Sequence, residues 1–312
     1  MKPVGIGIVG TGKALETIHL PTLTALSERF QVLGLYDIAH DKALAATGKF
    51  KYKVPVKGAL DDLFATPGVE VVFALTKPPT THHQVALKAL AAGKHVVTEK
   101  PMAQTTAECD EMIDAATRAG KILTAHQNRR WDRNFQACLN GIREGKIGSP
   151  TLIELNLGGN FGHFDALCDW GVHLFDQVLL LNPSPLLDVT ACAVNPRGPM
   201  DRTGSAAALI RFEKPPLVLY KCLTGVHQDG SDRPKQVLPR FYVVGDKGAF
   251  QVSPGEQFPD QRPFYDGLWS CLREGDPPPV TPVSARNSIH LIEIVYESIK
   301  SGKTVPGARR FE

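Results

Sequence analysis

Five short apolar runs in the first 125 residues, "VGIGIVG", "FQVLGLYD", "VEVVFALT", "GKHVVTE" and "GKILTAH", are separated by segments of helix length. Runs rich in Val and Ile, with no alternation of apolar and polar residues, are strands covered on both faces. Such strands pair in parallel, because a parallel connection needs a crossover long enough to hold a helix. Beyond residue 125 the pattern changes. After the helix-like "FQACLNGIREGK" come longer strand candidates, "TLIELNLG", "LLDVTACA", "SAAALIRF", "PLVLYKC" and "RFYVVGDKGAFQV", the last with a turn at Gly245 to Gly248. These read as an antiparallel sheet. The expectation is an α/β chain of two domains, 1–125 and 126–312, the second of α+β type with a large, mostly antiparallel sheet open on one face. "GDPPPVTP" introduces a final helix over about 282–301, in which Ile289, Ile292, Tyr296 and Ile299 keep helical spacing before Gly302 closes it.

Composition narrows the functional classes. A formal charge of +3 and no long run of Lys and Arg give no groove for a phosphate backbone, so nucleic acid is not expected as a partner. The start "MKPVGIGIVG" meets glycines where a signal peptide would continue apolar, and no stretch is long enough to span a bilayer. The six cysteines are scattered, without the close pairs of zinc sites or redox motifs. A reducing cytoplasm is the expected location, with no membrane partner.

The first strand runs into "GTGKAL". Gly10, Thr11, Gly12, Lys13 and Ala14 stand where a dinucleotide fold makes a tight turn and brings pyrophosphate to a helix N-terminus. The third glycine of Gly-x-Gly-x-x-Gly is Leu15, which departs from close helix-to-strand packing, and Pro21 implies a short turn that restarts as helix near "LPTLTALSE". Asp37 ends the second strand at the distance where a carboxylate hydrogen-bonds a ribose 2′-hydroxyl. A carboxylate there repels a 2′-phosphate, so the expected cofactor is NAD, with NADP left open by the nearby Lys42. A turn acid at a strand end would look the same.

The segment "TKPPTTHHQVALKALAAGKHVVTEKPMA", residues 76 to 103, together with "GTGKALETIHLPTL" and "CDWGVHLFD", resembles the glucose-fructose oxidoreductase and inositol dehydrogenase family, often called Gfo/Idh/MocA. The resemblance extends over essentially the whole chain. It implies that Thr76, Pro78, His82, Glu99 and Lys100 lie beside the cofactor, that Glu99, Lys100 and Pro101 follow the fifth strand of a Rossmann domain, and that "NRRWD" leads into the second domain. It also implies a homodimer or homotetramer formed through the open sheet face.

Three residues carry the chemistry in this reading. Lys100, at the carboxyl end of a parallel strand, can hydrogen-bond a substrate hydroxyl and stabilise the alkoxide that forms; a surface lysine is the bland alternative. If "DWGVHLFDQVLLL" is helical, Asp169, His173 and Asp176 share a face while Val172, Phe175 and Leu179 mark another. The resemblance makes His173 the acid/base, with Asp169 orienting the substrate or raising the basicity of His173; Asp176, one turn further on, is read as structural or supporting. An N-cap and a core histidine, or a zinc site drawing in His163 and Asp165, are the competing readings, and no metal is expected. His163, Asp165 and Asn128 are candidate substrate contacts, and the short loop from Gly158 to Cys168 puts sugar specificity in doubt. The expected reaction is hydride transfer between nicotinamide and a secondary alcohol or ketone of a sugar, polyol or related cyclic compound. An NAD-dependent glycosidase, a diol or imine reductase, and a protein that senses dinucleotide without catalysis are the alternatives.

Overall fold

The structure is a computed structural model that describes residues 1–158, 167–194, 205–223, 240–252 and 260–307. The chain divides into two compact units: Met1–Asn128 with Asp260–Arg286, and Arg129–Pro259 with Asn287–Glu312.

In the first unit, β1 (Val4–Val9), β2 (Phe30–Tyr36), β3 (Val69–Ala74), β4 (His95–Thr98) and β5 (Leu123–Ala125) form a sheet of order β2-β1-β3-β4-β5, parallel throughout. All six residues of β1 and all three of β5 are buried, as strands flanked by helices on both faces require. A further parallel bridge joins Leu35 to Val56 at the outer edge of β2. With that bridge as the third strand, the order becomes the 3-2-1-4-5-6 of a doubly wound dinucleotide fold. The break in strand order lies between β1 and β3, where ligands bind at the carboxyl ends of such sheets.

After β1 the chain makes a π-turn over Leu15–His19 and continues as α-helix over Leu20–Ala25 with Pro21 in its first turn, so the proline falls where its missing N–H costs nothing. Leu15 is buried in this wider turn. The departure from glycine is thus absorbed by local widening of the helix. The helix Thr106–Ala119 shows the opposite, a regular element with a capping box between Thr105 and Glu108 and a left-handed Gly120 at its end.

One part of the first unit comes from far along the chain. Helix Arg262–Arg273, in the stretch that sequence patterning assigns to the second domain, buries Phe264, Tyr265, Leu268 and Cys271 at helical spacing. Arg273 holds Glu70 through two 2.9 Å hydrogen bonds, and Arg29 reaches Asp266 at 2.8 Å.

The second unit is built on β6 (Pro150–Gly158), β7 (Leu186–Val194), β8 (Ser205–Phe212), β9 (Leu217–Leu223), β10 (Phe241–Gly245), β11 (Ala249–Val252) and β12 (Val305–Pro306), in the order β11-β10-β6-β9-β8-β7-β12. Only β6 and β9 run parallel. Alternation puts Ile153, Val189, Ile210, Val218, Tyr220 and Val243 on the buried face. Phe175, from helix Val172–Leu181, meets Tyr220 there at 5.1 Å between ring centroids. The opposite face exposes Leu209, Leu217 and Tyr242 around a 2.7 Å ion pair of Lys221 with Glu154. The final helix spans Pro282–Ser301. Among the described residues, no helix is long and apolar enough to cross a membrane.

Candidate active site

The glycine turn after β1 shows two different uses of glycine. Gly10 has φ +94°, and a Cβ there would lie 2.7 Å from the Leu75 carbonyl oxygen, so the turn presses against the end of β3. Gly12 has nothing within 4 Å of the place a Cβ would take, which leaves its backbone open to a ligand. Lys13 is exposed and Ala14 half-buried beside it.

Asp37, just past β2, turns back onto the same loop. Its Oδ2 accepts from the Thr11 N–H at 2.7 Å and the Thr11 hydroxyl at 2.9 Å, and its Oδ1 from the Ala39 N–H at 2.9 Å. Burial works against its charge, but these donors and Lys42 outweigh it and hold the carboxyl below its ordinary range. A permanent negative charge therefore sits at the edge of the glycine turn.

Thr76, Pro78 and His82 follow β3. Thr81 donates its hydroxyl to the Thr76 hydroxyl at 2.6 Å and lies 2.8 Å from the Pro78 carbonyl. His82 is buried, with Nδ1 2.8 Å from the Pro101 carbonyl and Nε2 2.9 Å from that of Thr76. Its ring ties the loop after β3 to the loop after β4, and both nitrogens face protein. Burial lowers its pKa, Lys100 adds to the effect, and the two carbonyls and Glu99 oppose it.

Behind Lys100 lies a group that sequence patterning does not single out. Glu99 Oε1 accepts from His19 Nε2 at 2.8 Å and from His126 Nδ1 at 2.9 Å, while His19 Nδ1 meets the Tyr265 hydroxyl at 2.7 Å. His19, His126 and Tyr265 are fully buried. Burial opposes the charge of Glu99, but His126 and His19 overcome it and keep its carboxyl well below the usual range. Burial and then His126 lower the pKa of His19, and burial raises the Tyr265 phenol well above its ordinary value. Among the described residues this is the one trio of possible metal-ligand atoms, all within 4.8 Å of one another. The facing N–H groups are already spent on the carboxylate. His126 ends the apolar run "KILTAH"; His19 stands in the mixed stretch "ALETIH" and Tyr265 is 246 residues from it, so neither carries a sequence signal.

In the second unit, Asp169 lies in a π-turn over Leu167–Gly171, and His173 in the first turn of the helix that follows. His173 is buried, its ring 6.2 Å from that of half-exposed Trp170. Gly171 through Val178 are all buried, His173, Asp176 and Gln177 among them. Asp176 instead receives two hydrogen bonds from Arg130, at 2.8 and 2.5 Å, with Ser288 at 3.4 Å, which fits the structural role expected of it. Gln177 donates to the Arg129 carbonyl at 2.6 Å. Asp132 accepts from Arg129 at 3.1 Å and from Arg240 at 2.7 Å. "NRRWD" is thus the anchor of this helix as well as a connection. Asn128 is buried at the start of that turn, in the first unit. His163, Asp165 and the loop that holds them lie outside the described residues.

A parallel sheet of this order, with an open glycine turn and a strand-end carboxylate, is the architecture of the Rossmann class. Residues 4–127 match the model of the GFO_IDH_MocA oxidoreductase family, described as an NAD-binding Rossmann fold. This part of the chain, about two fifths of its length, is similar to that family. An uncharacterized oxidoreductase of Schizosaccharomyces pombe is 32% identical over 201 residues, a match that covers 59% of this chain and about half, 53%, of that relative's length. A scyllo-inositol 2-dehydrogenase (NADP(+)) of Bacillus subtilis is 24% identical, over 97% of this chain and 95% of its own. In fold, the chain is similar to a putative oxidoreductase from Klebsiella pneumoniae, with a TM-score of 0.84, 23% identity, and coverage of 98% and 96%.

Proposed function

We propose that this protein is a nicotinamide-dependent oxidoreductase acting on a secondary alcohol or ketone of a sugar, polyol or related cyclic compound. The observation that carries the reading is the Gly10–Gly12 turn, open at Gly12 and edged by the ionised Asp37. Gly10, Thr11, Gly12, Lys13, Ala14, Thr76 and Pro78 would hold the cofactor, and His82 would fix the loop that carries Thr76. Asp37 would meet the ribose hydroxyls, and Ile38, 95% exposed next to it, would offer an apolar surface to the adenine. When bound, nicotinamide supplies the acceptor or donor of hydride.

The chain's own residues handle the proton. His173 takes the proton of the alcohol as its carbon gives up hydride, and returns it in the opposite direction. Lys100 hydrogen-bonds the substrate oxygen and stabilises the negative charge it develops. Asp169 orients the substrate and His173.

The Bacillus relative is named for NADP, whereas Asp37 favours NAD here, so the first experiment is a fluorescence titration with NADH and NADPH. NADH should bind more tightly. An inositol and sugar panel then supplies a substrate, on which His173→Ala should lower kcat about 10²–10⁴-fold with NADH affinity unchanged. Turnover that survives this change would refute the assignment of His173.

A further inference from the structure

We infer that Glu99 is a positioning residue for Lys100, locked by two buried imidazoles so that the lysine's backbone has one setting. This rests on the reading of Lys100 as the group that meets the substrate oxygen.

The argument begins with the donors around one carboxylate. Oε1 of Glu99 takes the N–H groups of His19 and His126, and Oε2 takes the backbone N–H of Lys100 at 3.3 Å. Three donors from three parts of the chain fix a side chain that otherwise rotates freely. An ionised carboxylate can only accept, so His19 carries its proton on Nε2 and His126 carries one on Nδ1. Burial favours the neutral His19 ring, and in that form Nδ1 accepts from the Tyr265 hydroxyl. Each proton in the chain has one place.

The same geometry argues against a relay. Among the described residues the chain of hydrogen bonds ends at Tyr265, which is fully buried and whose phenol holds its proton more firmly than usual. Aromatic rings close round it: Phe73 lies 5.7 Å from the His19 ring and Phe264 4.7 Å from that of His126, both edge-on. A rigid charged anchor directly before a lysine on a strand end is suited to placing the lysine. Misplacing a catalytic group by about 1 Å can cost on the order of 10²-fold in rate.

The test is amide hydrogen exchange at Lys100, read at single-residue resolution, in the wild type and in Glu99→Gln. A carboxamide at residue 99 cannot accept from all three donors, so exchange at Lys100 should quicken by about 10-fold or more, the equivalent of one charge-assisted hydrogen bond. With a substrate from the panel, kcat should fall on the order of 10²-fold while KM and the NADH dissociation constant stay within about threefold. Should Glu99→Gln not fold, His126→Asn and His126→Phe replace it: Asn keeps an N–H for Glu99 and should restore slow exchange, whereas Phe should not. Wild-type exchange at Lys100 in Glu99→Gln or His126→Phe would overturn the proposal, as would stoichiometric zinc in the purified protein. Lys100→Met with undiminished turnover would instead sink the reading of Lys100, and leave the exchange result standing.

Discussion

Both units bury a polar network, and the two are made from different chemistry. In the first, a single carboxylate, Glu99, is held by imidazoles and a phenol, and the arrangement depends on where protons lie. In the second, Arg129, Arg130 and Arg240 pair with Asp132 and Asp176, and guanidinium groups do not titrate in the physiological range. The first network stands at the carboxyl ends of parallel strands, where a ligand is expected. The second lies under the helix that carries His173. On the role proposed for Lys100, the contrast separates an anchor that holds a helix from a setting that positions the neighbouring lysine.

The largest effect should come from the arginine network. Asp176→Ala would leave Arg130, whose side chain is 10% exposed, buried without its bidentate partner. A loss of about 3–5 kcal/mol in urea unfolding is expected. Replacing both residues, Arg130→Met with Asp176→Leu, should recover most of it, since a buried pair is worth little more than a well-packed apolar substitute. A loss below about 1 kcal/mol for Asp176→Ala would break the comparison, because the second network would then not anchor its helix.

Acid should single out the first unit. His19, His82 and His95 all have pKa values lowered primarily by burial from the ordinary 6.5. Between each lowered value and 6.5 the unfolded chain binds more protons than the native one. Their contribution is therefore complete above that pH and is lost as pH falls below it toward the lowered values. Glu99, already well below its usual range, gives up its share only in stronger acid. Melting temperature should drop as pH falls below 6.5, by a similar amount in the Arg130→Met, Asp176→Leu double variant. A melting temperature flat across that range would show that these imidazoles are not held neutral.

Much of this architecture is legible in the sequence, for identifiable reasons. Every strand of both sheets longer than two residues corresponds to an apolar run, because covered parallel strands and alternating open-sheet strands leave distinct patterns. Gly10 and Gly12 are legible because their spacing is set by a local turn, and Asp37 because it directly follows the apolar run of the second strand. The edge bridge at Val56 is not, being too short to leave a pattern. The return of residues 260–286 to the first unit is hidden for another reason: helix spacing in "RPFYDGLWSCLR" shows an apolar face without showing what covers it. Tyr265 belongs to the same blind spot. Glu99 is visible as part of a motif, but its two imidazole partners are brought to it by tertiary packing alone.

The smallest effect on stability should be the most specific for the ligand-facing part of the first unit. Gly12→Ala adds a methyl group into open space at a residue without positive φ, so folding stability should change by no more than about 0.5 kcal/mol. The same methyl lies where the backbone must be approached closely, and NADH binding should weaken by about 10-fold or more. Gly10→Ala is the control: its φ of +94° and the Leu75 carbonyl 2.7 Å away make alanine strained, and stability should fall by about 1–3 kcal/mol. If Gly12→Ala instead destabilised the fold and left NADH affinity alone, the turn would be a packing device like the arginine network. The ionised Asp37 beside it would then be no more than the acceptor that closes it.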